Sequence, residues 1–362
     1  MISRKKQGLL CGVIACLLVT AACTKNEATG TELDEANDTA IEDTVVDSKE
    51  LNEPDEESEE VAPAHTAPLT GLATYEELWH TAFGVMIENS TQARPQSGLD
   101  QADVVYEVLS EATITRFLAF YHSQEAERIG PVRSARDYFV HLNKGYNGIY
   151  VSAGGSPDGL ALAESDYVQF ISGLAYDGRF FTRASDRSAP HNMYTSVQDL
   201  KAAAAHIGHD MNLSPPTLPR LDHKREGESA ESFEVKYGSA NNNVQYLYDA
   251  ELGGYRRSNG GVPTIDAATG TPVAPENVFV VEASHRVIDD VGRRAIEVTE
   301  GGNAYLFQEG VVQELEWRNE NGVILPYING EPAGFLPGQT WINIVPKENG
   351  GLSSHVAIEG IQ

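Results

Sequence analysis

The chain has 362 residues and a formal net charge of −27, from 53 acidic against 26 basic side chains. That balance argues against nucleic acid as a partner, because such binding rests on neutralising phosphates with Lys and Arg, and against membrane adhesion through a basic face. The three cysteines, Cys11, Cys16 and Cys23, all sit near the start, so the remainder has no internal disulfide, thiolate metal site or cysteine nucleophile.

The first segment, 1–22, reads as a signal peptide: Arg4, Lys5 and Lys6, an apolar run from Leu9 to Val19, then Thr20-Ala21-Ala22-Cys23. The run falls short of the roughly 20 apolar residues that span a bilayer. Small residues leading into Cys23 match a bacterial lipobox, so Cys23 is expected to carry a palmitate-type lipid and to hold the protein on the extracytoplasmic face of the cell membrane. Thr20 stands where Leu, Val or Ile is usual, which leaves cleavage at an A-x-A-like site open. From the lipidated Cys23 to Ala67 follows an acidic linker. Residues 24–67 hold 15 Asp or Glu against two Lys and no aromatic residue, too little apolar surface to offset chain entropy.

From Pro68 the texture changes. Apolar runs at 82–89, 102–110 and 115–122 read as strands, the last two as a hairpin. A helix is expected to begin at Pro131, since proline costs nothing in a first turn; it would put Arg133 in that turn. Residues 147–155 form a strand ending in glycines. Ser156 caps a helix opened by Pro157, and a further Ala-rich helix closes at Gly208. Residues 68–208 therefore read as an α+β or α/β domain and 209–238, with Pro215, Pro216 and Pro219, as a connection. In 239–362 short alternating runs recur, punctuated by Asn-Gly steps at Asn259, Asn321 and Asn329, and read as a small antiparallel all-β domain.

The motifs APLTGL, GVMIEN, ARPQSGLDQADVVYE, TRFLAFY, IGPVRSARDYF, APHNMYTS and PGQTWINIVP occur in this order across 68–346. In this the chain resembles the YerB-like bacterial lipoproteins, a family with a domain of unknown function and a C-terminal companion. The resemblance implies an exported two-domain lipoprotein and supplies no reaction. Two places depart from the family pattern: the hairpin turn is Glu111-Ala112-Thr113 rather than Glu-Gly-Gly, which makes a positive φ there less expected, and a Gly-rich strand is loosened to Gly301-Gly302-Asn303.

Arginines are the main chemical signal in so acidic a chain. Arg94, Arg116, Arg133, Arg136, Arg183 and Arg187, with His191 and the capped helix start at Ser156, suggest a cleft where guanidiniums grip an anionic cell-envelope ligand or a partner protein. The competing structural account is internal ion pairing with Asp103, Glu107, Asp137 or Asp186. A different class of function is a cell-wall-directed hydrolase using Ser156 with His191, or the carboxylates of Glu107 and Glu111, with Glu88 nearby. The pair His206 and His209 with Asp210 is a weak metal pattern, broken by Gly208. Trp317 and Trp341 read as β core rather than a sugar platform. No cofactor or metal is expected, and the balance leans away from an enzyme.

Overall fold

The computed structural model describes residues 62–221 and 226–360. The leader, Cys23 and the acidic stretch up to residue 61 lie outside the described residues. Residues 62–67 are within them, where His65–Thr66 pairs with Ala73–Thr74.

Helices are few and short. They are α1 (Asp137–Gly145), α2 (Pro157–Ala163), α3 (Val197–Ile207) and α4 (Gly351–His355). The caps of two follow from sequence: Ser156 accepts from Gly159 N–H and Ser196 from Asp199 N–H, while Gly208 ends α3 at φ 86°.

Most of the chain is strand, arranged around one large mixed sheet. In spatial order its central members are Asn277–Ala283, Thr340–Pro346, Val104–Glu111, Ile114–Tyr121, Phe83–Glu88, Ile149–Ser152 and Phe170–Ser172. All of these run parallel except Ile114–Tyr121, which is antiparallel to both neighbours. Beyond Asn277–Ala283 the sheet continues through the antiparallel strands Gly302–Gln308, Val311–Glu320 and Val323–Ile328. Both faces are covered, so the central strands read as unbroken apolar runs. Met86, Tyr106, Leu118, Phe120 and Ile342 share one core with Tyr138, Phe139 and Leu142 of α1. Val85, Ile87, Val105, Phe117 and Trp341 share the other with Leu200 and Ala203 of α3. That second core also takes in Phe233, Val244, Tyr246 and Tyr255 from a five-stranded antiparallel sheet. Its members include Ser232–Val235, Val244–Asp249, Gly254–Asn259 and Val356–Ile358.

This overturns the expected α+β or α/β domain followed by a small all-β domain. The protein is mostly β, and strands from before and after residue 209 share one sheet. Thr340–Pro346 lies between Asn277–Ala283 and Val104–Glu111, parallel to both. Pairing between strands so distant in sequence has no local signature, because periodicity reports only which faces are buried.

Two local expectations also fail. The helix begins at Asp137, six residues after Pro131. The Gly130-Pro131 bond is cis, and 129–135 is extended: Arg133 N–H donates to Met86 O, Ala153 N–H to Arg133 O, and Ala135 N–H to Gly154 O. The segment wedges between two strand ends, and its backbone groups are spent there rather than on a helical turn. Arg133 therefore lies outside α1. The Glu111-Ala112-Thr113 turn takes a positive φ after all, 48° at Ala112. Ala112 N–H reaches Gly292 O, and Arg294 donates to Ala112 O at 2.6 Å, contacts that hold a conformation alanine disfavours on its own.

Candidate functional site

The parallel strands place their carboxyl ends along one rim, where open sheets of this kind commonly bind ligands. Glu88 ends Phe83–Glu88, Glu111 ends Val104–Glu111, and Gly154 and Gly155 follow Ile149–Ser152. The wedge 129–135 adds Arg133 and, one residue before α1, Arg136.

Glu88 is the organiser. Its Oε2 lies 2.9 Å from Arg133 Nε and 2.8 Å from His191 Nδ1. The Glu88 side chain is 5% exposed, against 23% for each of its partners. A buried carboxylate thus fixes one side of each basic group. Arg133 Nη1 and Nη2 have no hydrogen bond to any described residue and are the donors left for solvent or a ligand, its Nε facing Glu88 as an ion pair without hydrogen-bond geometry. His191 Nε2 is also unpaired among the described residues, and it donates only when the ring is protonated.

The neighbouring cluster is closed. Glu111 pairs with both Arg116, at 3.1 Å, and Arg136. Arg116 also donates to Ser134 O and Arg136 to Ala135 O. Burial, reinforced by Arg136 and opposed by Glu111, pushes the Arg116 guanidinium down to about 10. The remaining arginines do other work. Arg183 pairs with Asp177 at 2.8 Å and with Asn192, while Arg187 donates to the carbonyls of Ala93 and Pro95 at 2.7 Å. Arg94 reaches Asn89, Asn241 and Asn242.

So the arginines divide into groups rather than converging on one cleft. Their carboxylate partners are Glu88, Glu111 and Asp177, not Asp103, Asp137 or Asp186. Ser156 Oγ is the cap of α2, and His191 faces Glu88. Glu107 and Glu111 are also separated in role. Glu107 is fully buried between the two sheets, held by Arg257 at 2.8 and 3.0 Å, Trp341 Nε1, Thr115 and Asn89. Burial alone would lower the Arg257 pKa; Glu107 outweighs it, and the value is raised. His206 lies against Arg179, while His209 turns to Phe170 O, and among the described residues no group of three or more His, Cys, Asp or Glu is placed to hold a metal. The indole N–H of Trp317 donates to Glu282 O in the core.

Sequence reasoning missed Arg257 and Asn89. The clue for Arg257 was alternation: in GYRRSN, Arg256 is exposed and Arg257 falls at an inward position. Asn89 carried no such clue.

Fold and site together define a mostly β protein with a charged rim on a mixed sheet. The chain belongs to the family described as "Protein of unknown function (DUF3048)": residues 69–210 match its N-terminal domain and 233–342 its C-terminal domain. It is 46% identical over 286 residues to the Bacillus subtilis (strain 168) protein named "Putative lipoprotein YerB", covering 77% of this chain and 86% of that one. The crystal structure of Bacillus subtilis YerB superposes with a TM-score of 0.76 at 43% identity, covering 82% of this chain and 99% of that one.

Proposed function

We propose that the protein is an exported lipoprotein, lipidated at Cys23 and held on the extracytoplasmic face of the membrane, that binds the anionic group of a cell-envelope ligand at Arg133 and His191. The observation that carries this reading is the one-sided pairing at Glu88. The buried carboxylate orients both basic side chains and leaves the outer donors of Arg133 unspent, with His191 Nε2 as a further donor when the ring is protonated, a pre-organised arrangement suited to a phosphate or carboxylate oxygen. Hydrolysis draws no comparable support: Ser156 Oγ is spent on a helix cap and Glu107 on a buried guanidinium.

Thermal melts test the ligand site. Inorganic phosphate should raise the wild-type midpoint in proportion to occupancy. Arg133→Ala should lose that response and also lower the unliganded midpoint, since it strips a partner from the buried Glu88. Arg136→Ala should keep the response and lower the unliganded midpoint, since it strips a buried partner from Glu111. A wild-type midpoint unmoved by phosphate, sulfate and acetate rejects the site.

The anchor is tested separately. Mass spectrometry of the membrane fraction should find Cys23 as a lipid-modified N-terminus. A free N-terminus at another residue, with the protein released to the medium, rejects the anchor and leaves the site untouched.

A further inference from the structure

A concave feature of the protein lies apart from Glu88, Arg133 and His191, none of which lines it. It is a cleft of about 500 Å³ between the 91–96 loop and the 257–265 part of the five-stranded sheet. Pro95, Val262, Pro263 and Ile265 give it apolar walls, and Val262 is 66% exposed. Arg94 and Arg257 also line it. No lining residue is acidic, in a chain with 53 acidic side chains.

The charges do not cancel. Glu107 neutralises Arg257 through two contacts. Arg94 is held only by neutral acceptors: Asn89 Oδ1 and O, Asn241 O and Asn242 Oδ1. Those bonds leave one of the five guanidinium N–H groups unused. Burial, followed by the field of Arg257 and opposed in part by Glu107, pushes the Arg94 pKa down to about 10. Arg257 Nε and Asn259 Oδ1, both on residues that line the cleft, have no hydrogen-bond partner among the described residues.

We propose that this cleft binds a monocarboxylate carried on an apolar body, with the carboxylate against Arg94 and the apolar part along Pro95, Val262, Pro263 and Ile265. One uncompensated positive charge matches one negative charge. The volume falls in the range of about 300–1,000 Å³ that takes small ligands, and apolar walls with a few polar anchors are typical of such sites. The carboxylate has two chemical sources, an acyl chain and the C-terminus of an apolar peptide.

Melting of the purified chain with decanoate and with N-acetyl-leucyl-valine separates them, with decanol and decylammonium as controls. At least one carboxylate should raise the midpoint saturably, and the one that does names the source. Val262→Asp, at an exposed position, should leave the unliganded midpoint in place and weaken that binding by about tenfold or more through like-charge repulsion. Arg133→Ala should bind the carboxylate as the wild type does, and Val262→Asp should keep the phosphate response, so the two sites stand or fall separately. Absence of a saturable shift with both carboxylates, an equal shift with decanol, or full binding by Val262→Asp overturns the proposal.

Discussion

Glu107→Gln is expected to lower stability by about 3–5 kcal/mol, the usual cost of breaking a fully buried ion pair. Glu107 and Arg257 are 0% and 1% exposed at their side chains, so the guanidinium left behind gains no water. It sits 4.9 Å from the centroid of the Trp341 ring and 5.3 Å from that of Phe117, and those rings return only a fraction of a carboxylate's attraction. Glutamine keeps one oxygen to accept from Thr115 and Asn89 but sets an NH2 donor where Oε2 accepts from Trp341 Nε1 and Arg257. Because this pair joins the large sheet to the five-stranded one, the transition should stay cooperative while its midpoint falls. Pairing the change with Arg257→Met should recover much of the stability, since it removes the orphan buried charge. Urea unfolding of the single and double variants measures both effects. A single-variant cost below about 1 kcal/mol would mean that water reaches the pair.

The second large effect is at Gly145, near the end of α1. A Cβ there would stand 2.3 Å from Gly322 C and 2.4 Å from its O. Both are backbone atoms of the Asn321-Gly322 turn, where φ values of 53° and 96° fit a two-residue hairpin connection. Neither backbone can yield as a flexible side-chain tip would, so Gly145→Ala must push the helix off the hairpin that joins Val311–Glu320 to Val323–Ile328. Alanine is the better helix former by up to about 1 kcal/mol. Overpacking costs about 1–3 kcal/mol, and with backbone on both sides the net loss should lie near the upper end, at about 2 kcal/mol. Gly322→Ala should lose at least as much, because it adds a strained positive φ to a Cβ 2.6 Å from Gly145 Cα. Gly330→Ala, also at positive φ but with nothing within 4 Å of its Cβ, isolates the strain from the collision. Guanidinium unfolding midpoints for the three should rank Gly330→Ala as the mildest.

Several elements were legible from local chemistry alone. Ser156-Pro157 and Ser196 with Gly208 marked α2 and α3, because capping satisfies backbone groups within a few residues of themselves. The apolar runs from Phe83–Glu88 to Thr340–Pro346 marked strands, since alternation or an unbroken β-branched run reports how a segment is buried. The Asn321-Gly322 step marked its hairpin for the same reason. What such signals lack is the partner. Nothing in TWINIVP says that it will lie between NVFVVEA and DVVYEVLSE, and that insertion puts strands from both parts of the chain into one sheet. The wedge at 129–135 was misread because Pro131 suits a helix start as well as it suits an extended segment, and only the strand ends around it decide.

The site divides in the same way. Composition in an acidic chain drew attention to Arg133, Arg136, Arg116 and His191, and residue type alone said that they would seek anions. Which anion each found was a matter of the tertiary structure. Glu88 sits at the buried end of its strand and holds Arg133 and His191 from one side, Glu111 absorbs Arg116 and Arg136, and Arg257 crosses from the other sheet to Glu107. An ion pair depends on distance and on exclusion of water, and both arise only when strands far apart in the chain are laid side by side.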